Sequence, residues 1–265
     1  MTSKDKLAPF VEMEVVRLKN GEKFFTNQYI ATEVPYTINV NEKEIATLLC
    51  TPLDLKEMAY GFLFTSGFIK AVDDIISYQL DSQKWLADFQ SKKDIDPELL
   101  QKRLFTSGCG RGVMYASVFE IAYRRQIESN LTITVDNITY IAKWLHKASI
   151  LHERTHGVHT AALSINGKEP KICFDDVGRH NAVDKVIGKA LLDGVDFSKA
   201  ILISSGRTSS EILHKARSCS IAINISRGAL THQTILKAKE MGITVVGFAK
   251  GRNFTIYSHE HRIKF

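Results

Sequence analysis

The chain lacks any run of about 18 apolar residues, so nothing in it is expected to span a membrane. Its first residues, M-T-S-K-D-K-L-A-P-F, have no apolar core of the kind a secretory signal carries, and the expected location is cytoplasmic. Prolines number five, and there is no Pro- or Ser-rich tract and no internal repeat, which leaves a globular chain. Cysteines are few and far apart: Cys50, Cys109, Cys173 and Cys219 form no Cys-x-x-Cys pair. That spacing argues against a zinc site, and without a secretory signal it implies reduced thiols. The basic loops match neither G-x-x-x-x-G-K-[ST] nor G-x-G-x-x-G, so a standard nucleotide hydrolase or dinucleotide site is disfavoured.

What is present is ordinary in bulk. Of the 265 residues 44% are hydrophobic and 24% charged, enough for one sizeable core or two smaller ones. The net charge is +6. A basic surface suits nucleic acid, phosphorylated ligands or an acidic partner, and it is also compatible with no partner at all. Cys50, Cys173 and Cys219 sit in apolar or helical patterns and read as packing residues. Cys109, in F-T-S-G-C-G-R-G-V-M, stands between Gly108 and Gly110 and has no neighbours to bury it.

The first hundred residues read as an antiparallel sheet with a helix. V-P-Y-T-I-N-V and E-I-A-T-L-L-C form a hairpin, and T-P-L-D opens a helix with Thr51 as cap and Pro52 in the first turn. Gly67 closes that helix. Residues 81–104 are charged and weakly amphipathic, which predicts a peripheral helix and a connector. Val135 to Ser149 is an amphipathic helix, and H-T-A-A-L-S-I with P-K-I-C-F makes a second hairpin. Short apolar strands then alternate with helices to Ser258, predicting a mostly parallel sheet covered by helices. The expected division is an α+β unit at 1–104, a cysteine loop and connector at 105–134, and an α/β unit at 135–265.

In such a sheet ligands bind beyond the carboxyl ends of the strands. Three of those ends carry Gly with a cation: S-S-G-R-T-S with Ser205, Gly206 and Arg207; S-R-G with Ser226 and Arg227; and F-A-K-G-R-N, which is Phe248, Ala249, Lys250, Gly251, Arg252 and Asn253. Singly, each is a turn with a solvated cation. Together, on one predicted edge, they suit a ligand with several phosphates, since Gly admits close backbone approach and Arg binds phosphate in two places. Nucleic acid is disfavoured, because no aromatic residues interleave with the cations.

The densest polar stretch is F-D-D-V-G-R-H-N-A-V-D-K, where Asp176, Arg179 and His180 meet a helix start. Asp175 and Asp176 can cap that helix, and His180 and Asp184, one turn apart, can pair. The functional alternative is a polar rim beside the phosphate loops, with His159 entering from a strand. A metal reading of His152, His156 and His159 lacks a supporting carboxylate or thiol cluster. The order of elements is that of the cytidine deaminase fold, but the H-x-E and P-C-x-x-C that would hold its zinc are absent here.

The blocks T-x-G-V-H-x-A-A-L, D-D-V-G-R-H-N-A-V-D-K, S-S-G-R-T-S-x-E and V-G-F-A-K…Y-S-H resemble the formate dehydrogenase accessory sulfurtransferase family, FdhD. So does P-Y-T-I-N-V…T-P-L-D-L…G-F-L-F-T-S-G-F-I near the start, so the resemblance covers nearly the whole chain. It implies a sulfur carrier that takes sulfur from a cysteine desulfurase and passes it, through a Cys109 persulfide, to the bis(molybdopterin guanine dinucleotide) molybdenum cofactor before formate dehydrogenase receives it. It also implies a cytidine-deaminase-like second domain without zinc, and a homodimer is compatible with it. The family's loop reads C-G-x-C; here Gly112 stands at the second cysteine, so a mechanism needing two thiols lacks one of them. A cofactor chaperone without sulfur transfer, and an enzyme acting on a phosphorylated nucleotide through Asp176, His180 and Asp184, are the alternatives.

Overall fold

The computed structural model describes residues 7–95, 103–105, 113–115 and 126–265. The loop carrying Cys109 lies outside the described residues.

The chain opens with a two-stranded ribbon, β1 (Phe10–Lys19) and β2 (Glu22–Ala31), paired without a break around Asn20–Gly21. Both turn residues have positive φ, the geometry that lets a two-residue hairpin follow the strand twist. The predicted hairpin follows as β3 (Val34–Val40) and β4 (Lys43–Cys50), and then α1 (Leu55–Thr65). Gly67, at φ 79°, closes α1 as expected. Thr51 is not its cap. The N-cap is Asp54, in left-handed backbone and with no side-chain cap bond. Thr51 is buried, and its Oγ1 accepts the Val177 N–H at 3.1 Å.

The described part of residues 81–104 differs from expectation, and residues 96–102 lie outside the described residues. β5 (Ile75–Asp81) and β6 (Leu86–Ser91) complete a four-stranded sheet of order β4-β3-β6-β5. Ala87 and Phe89 of β6 are fully buried, and β6 runs parallel to β3, so this sheet is mixed rather than antiparallel. Polar residues on the alternate positions and charged flanks dilute the apolar signal of so short a strand. β7 (Arg103–Phe105) and β8 (Val113–Tyr115) pair antiparallel, with Phe105 opposite Val113.

The second unit begins with β9 (Ile133–Thr134), α2 (Val135–Ala148) and α3 (Ile150–Thr155). Thr134 caps α2 by accepting the Asn137 N–H. Then come β10 (His159–Ile165), β11 (Ile172–Asp176), α4 (Arg179–Leu192), β12 (Ala200–Ser204), α5 (Ser210–Ser218), β13 (Ile223–Ser226), α6 (His232–Met241), β14 (Thr244–Lys250), β15 (Asn253–Ser258) and β16 (Ile263–Lys264). Six of these strands form a sheet of order β11-β10-β12-β13-β14-β15. Its parallel part is the trio β12-β13-β14; the pairings β10–β11, β10–β12 and β14–β15 are antiparallel. The expected mostly parallel sheet is therefore corrected to a mixed one. A parallel pair needs a crossover, which α5 and α6 provide, whereas β10–β11 and β14–β15 are joined by turns.

The sheet is covered on both sides. α2 and α6 pack on one face and α4 on the other, with α5 contributing to both cores. α4 also leans on the first unit, where its end residues Leu191 and Leu192 pack against the core of α1 and its sheet. Two glycines allow α1 and α4 to cross closely. A Cβ on Gly61 would lie 1.9 Å from the Asp184 carbonyl oxygen, and one on Gly188 would lie 1.8 Å from that of Glu57.

Candidate anion cleft at the strand ends

The parallel trio delivers its three loops to one edge, and hydrogen bonds lace them together. The Ser226 hydroxyl donates to the Gly206 carbonyl at 2.6 Å and accepts the Gly228 N–H at 2.9 Å. The Arg227 N–H donates to the Ser204 carbonyl, and the Phe248 N–H to that of Gly228, both at 3.0 Å. Ser205 is pinned to β10 from both sides: its N–H donates to the Thr160 carbonyl and its Oγ accepts the Thr160 N–H. Gly206 sits where a Cβ would come within 3.0 Å of Arg179 and 3.3 Å of His159 Nδ1. A side chain there would part the loop from the helix start and the strand start that flank it.

These loops border a cleft of about 520 Å³ lined by His146, His152, His156, Gly157, Val158, His159, Ser205, Arg227, Gly228 and Lys250. None of these lining residues is acidic. Arg227 Nε is buried without a hydrogen-bond partner, so an anion entering the cleft would meet an unmatched donor. The histidines respond to the same positive field. His146 is held below the usual histidine range, first by Arg227, and His159 is lowered by burial and then by Arg179. His152 Nδ1 lies 3.0 Å from the Val158 carbonyl. A carbonyl only accepts, so that nitrogen carries a proton and donates it to Val158.

Of the residues singled out in the sequence, His159, Ser205, Arg227 and Lys250 line the cleft, and Gly206, Arg179 and Ser226 frame it. Phe248 is 47% exposed with φ 54°, a left-handed backbone that a bulky residue holds at a cost. Ala249 is fully buried. Gly251 and Arg252 form the turn between Lys250 and Asn253, and Arg252 reaches Asp136 at 2.9 Å in an exposed ion pair. Arg207 is exposed and does not line the cleft. Asp176 is sealed beneath it, 2.7 Å from Lys185, with both side chains fully buried.

The expected His180–Asp184 pairing is not made. Asp184 bonds Lys215 Nζ and the Thr65 hydroxyl, while His180 Nε2 lies 3.1 Å from Glu211 and 3.2 Å from Ser209 Oγ. Burial and then Arg179 hold His180 down to about 2, so the imidazole is neutral and its Nε2–H donates to the Glu211 carboxylate. Sequence reading missed His146. It lies six residues before His152, and no helical period connects it to the strand-end loops. A larger cavity of about 680 Å³ is bordered by Trp144, Cys173, Phe174 and Phe10, away from the three loops.

Residues 31–264 match the model of the FdhD/NarQ family. The chain belongs to that family. Curated FdhD relatives, each named sulfur carrier protein FdhD, include one from Staphylococcus haemolyticus, 36% identical over 94% of this chain and 95% of its own length. Another, from Bacillus licheniformis, is 35% identical over 95% of this chain and 96% of its own. Among solved structures, a chain from Desulfotalea psychrophila described provisionally as a formate dehydrogenase accessory protein has a TM-score of 0.78. It covers 97% of this chain and 100% of its own at 24% identity, which shows a shared fold. No helix among the described residues is long and apolar enough to cross a membrane.

Proposed function

We propose that this chain is a cytoplasmic sulfur carrier serving a formate dehydrogenase, with Cys109 as the carrying residue. The observation that carries the reading is family membership along almost the whole chain, with relatives named sulfur carrier proteins. In the first step the Cys109 thiolate attacks the outer sulfur of a cysteine desulfurase persulfide. The S–S bond of that persulfide breaks, the desulfurase thiolate leaves, and Cys109–S–SH forms; atoms and electrons balance without an oxidant. The sulfur then goes to the bis(molybdopterin guanine dinucleotide) molybdenum cofactor as cargo, ahead of its delivery to the apoenzyme.

The described residues fit such a cargo. A cleft with Arg227 and Lys250, and no acidic lining, suits a diphosphate. Arg179 and His159 extend the same edge. In this reading the second unit is deaminase-like, with phosphate loops in place of zinc ligands. The other three thiols compete poorly, because thiolate is the reacting form. Burial pushes Cys50 and Cys219 well above the usual thiol range and Cys173 up to about 12. Gly112 leaves one thiol in the loop, and a persulfide relay needs one. The rival nucleotide-transforming enzyme is disfavoured, because Asp176 and Asp184 are both spent in buried ion pairs.

Incubation with a cysteine desulfurase and cysteine, followed by peptide mass spectrometry, should add one sulfur to Cys109 and none to the other cysteines. A protein that binds the cofactor or GDP but gains no sulfur would be a chaperone instead. A Cys109→Ala protein that still activates formate dehydrogenase in cells would also overturn the relay.

A further inference from the structure

The cleft at the strand ends is lined by four imidazoles and no carboxylate. His146 comes from α2, His152 from α3, His156 from the C-cap of α3 and His159 from the start of β10. His146 and His156 are exposed, while His152 and His159 are half-buried. The His152 and His156 rings meet edge to face with centroids 5.7 Å apart. Arg227 and Lys250 border the same space. Arg179 approaches it from the start of α4: a Cβ on Gly206 would lie within 3.3 Å of both the Arg179 side chain and His159 Nδ1.

The nearest acids are committed elsewhere. Asp176, the cross-strand partner of His159, is held by Lys185 at 2.7 Å. Asp175 accepts the hydroxyls of Ser149 and Thr160. In the empty cleft the imidazoles therefore meet positive charge without a counterion and give up protons more readily. Arg227 lowers His146 first, followed by burial, His152 and Lys147. Burial lowers His159 first, followed by Arg179 and His152, with Asp176 opposing. An anion placed among these groups acts in the opposite direction on both rings, because it favours the imidazolium form.

We propose that His146 and His159 are anion ligands that bind as imidazolium, so that the cleft takes up protons from solvent together with its anion. The inference rests on the anion cleft of the proposed function and adds its regulation. The sign follows from linkage. The loaded cleft binds more protons than the empty one, so affinity rises as the pH falls. The change is confined to the window between the titration of the empty cleft and that of the loaded one. A fully coupled histidine changes affinity by up to about tenfold per pH unit inside it. A diphosphate that bridges two groups keeps its charge across this range, so the change belongs to the protein.

Inorganic sulfate is a suitable probe, because its charge is also constant there. The full chain is titrated with sulfate at fixed ionic strength, and the histidine ring protons are followed by NMR from about pH 5.5 to about pH 8. Saturating sulfate should raise the titration midpoints of His146 and His159, and sulfate should bind about tenfold more weakly at the upper pH than at the lower. His146→Gln, at an exposed position, should remove part of that difference, and adding His159→Gln should remove most of it. Arg227→Gln should weaken sulfate at both pH values and raise the His146 midpoint in the sulfate-free protein. Midpoints unmoved by sulfate, or a double variant that keeps the full pH difference, would overturn the coupling and leave the cleft standing as an anion site. No sulfate binding at either pH would overturn both.

Discussion

His180 and His214 are buried deeply enough that their imidazoles stay neutral in the fold. Burial is the first cause for both; Arg179 adds to it at His180, holding it down to about 2, and Lys237 and Arg217 add to it at His214, holding it to about 3. In the unfolded chain histidine titrates near 6.5, so below about pH 6.5 the unfolded state binds protons that the folded state refuses. Stability is therefore complete above that value and falls as the pH drops toward 3. Each such histidine contributes about 1.4 kcal/mol per pH unit in this window. Urea denaturation at pH 7 and pH 5 should show a loss of stability at pH 5. His214→Gln should shrink that loss by about 2 kcal/mol, and an unchanged loss would mean that His214 is charged in the fold. The sequence displays these histidines plainly, but not their titration, which depends on the depth of burial and on cations brought from other helices.

At the scale of elements, the crossing of α1 and α4 rests on Gly61 and Gly188. Each is a poor helix former by about 1 kcal/mol against Ala, so local propensity favours replacing either. The tertiary contact opposes it, because a Cβ at Gly61 would lie 1.9 Å from the Asp184 carbonyl oxygen. Gly61→Ala and Gly188→Ala should each lower the thermal midpoint, with a cost of about 1–3 kcal/mol or more as the helices move apart. A gain in stability would show that the crossing adjusts freely. The hairpins β3–β4 and β10–β11, and the helices α1, α2 and α4, were legible because period and turn residues agree. β6 was not, because its strand pattern is short and flanked by charge. Neither was the role of Gly61, since a single glycine inside a helix carries no mark of what crosses it.

Across the whole molecule, the carboxylates of two buried ion pairs in the second unit also bond threonines of the first. Asp176 holds Lys185 and accepts the Thr51 N–H at 3.1 Å; Asp184 holds Lys215 and accepts the Thr65 hydroxyl at 3.0 Å. Thr51 and Thr65 flank α1, so each carboxylate is shared between the units. Breaking a buried pair from one side leaves a charge without compensation and costs about 3–5 kcal/mol. Lys215→Met should therefore destabilise the protein by about that amount in urea, and adding Asp184→Asn should recover part of it. Equal stability of the single and double variants would mean that Asp184 is protonated once Lys215 is gone. The residues D-D-V-G-R-H-N-A-V-D-K drew notice as a polar rim. Their acids turned out to join units, while the cleft drew instead on Arg227, Lys250 and His146.

The sequence by itself determined the alternation of elements in the second unit, the three basic loops at its strand ends, the isolation of Cys109 among glycines, and the family. Those features are local: they depend on residue type, spacing and turn chemistry within a few positions. Tertiary structure decided which strands run parallel, that Asp176 and Asp184 face inward, that four histidines meet around the loops, and that a 22-residue ribbon stands out with its apolar side chains uncovered. These are relations between residues tens to more than a hundred positions apart. Packing, burial and the sharing of hydrogen bonds select them, and no local pattern records the outcome.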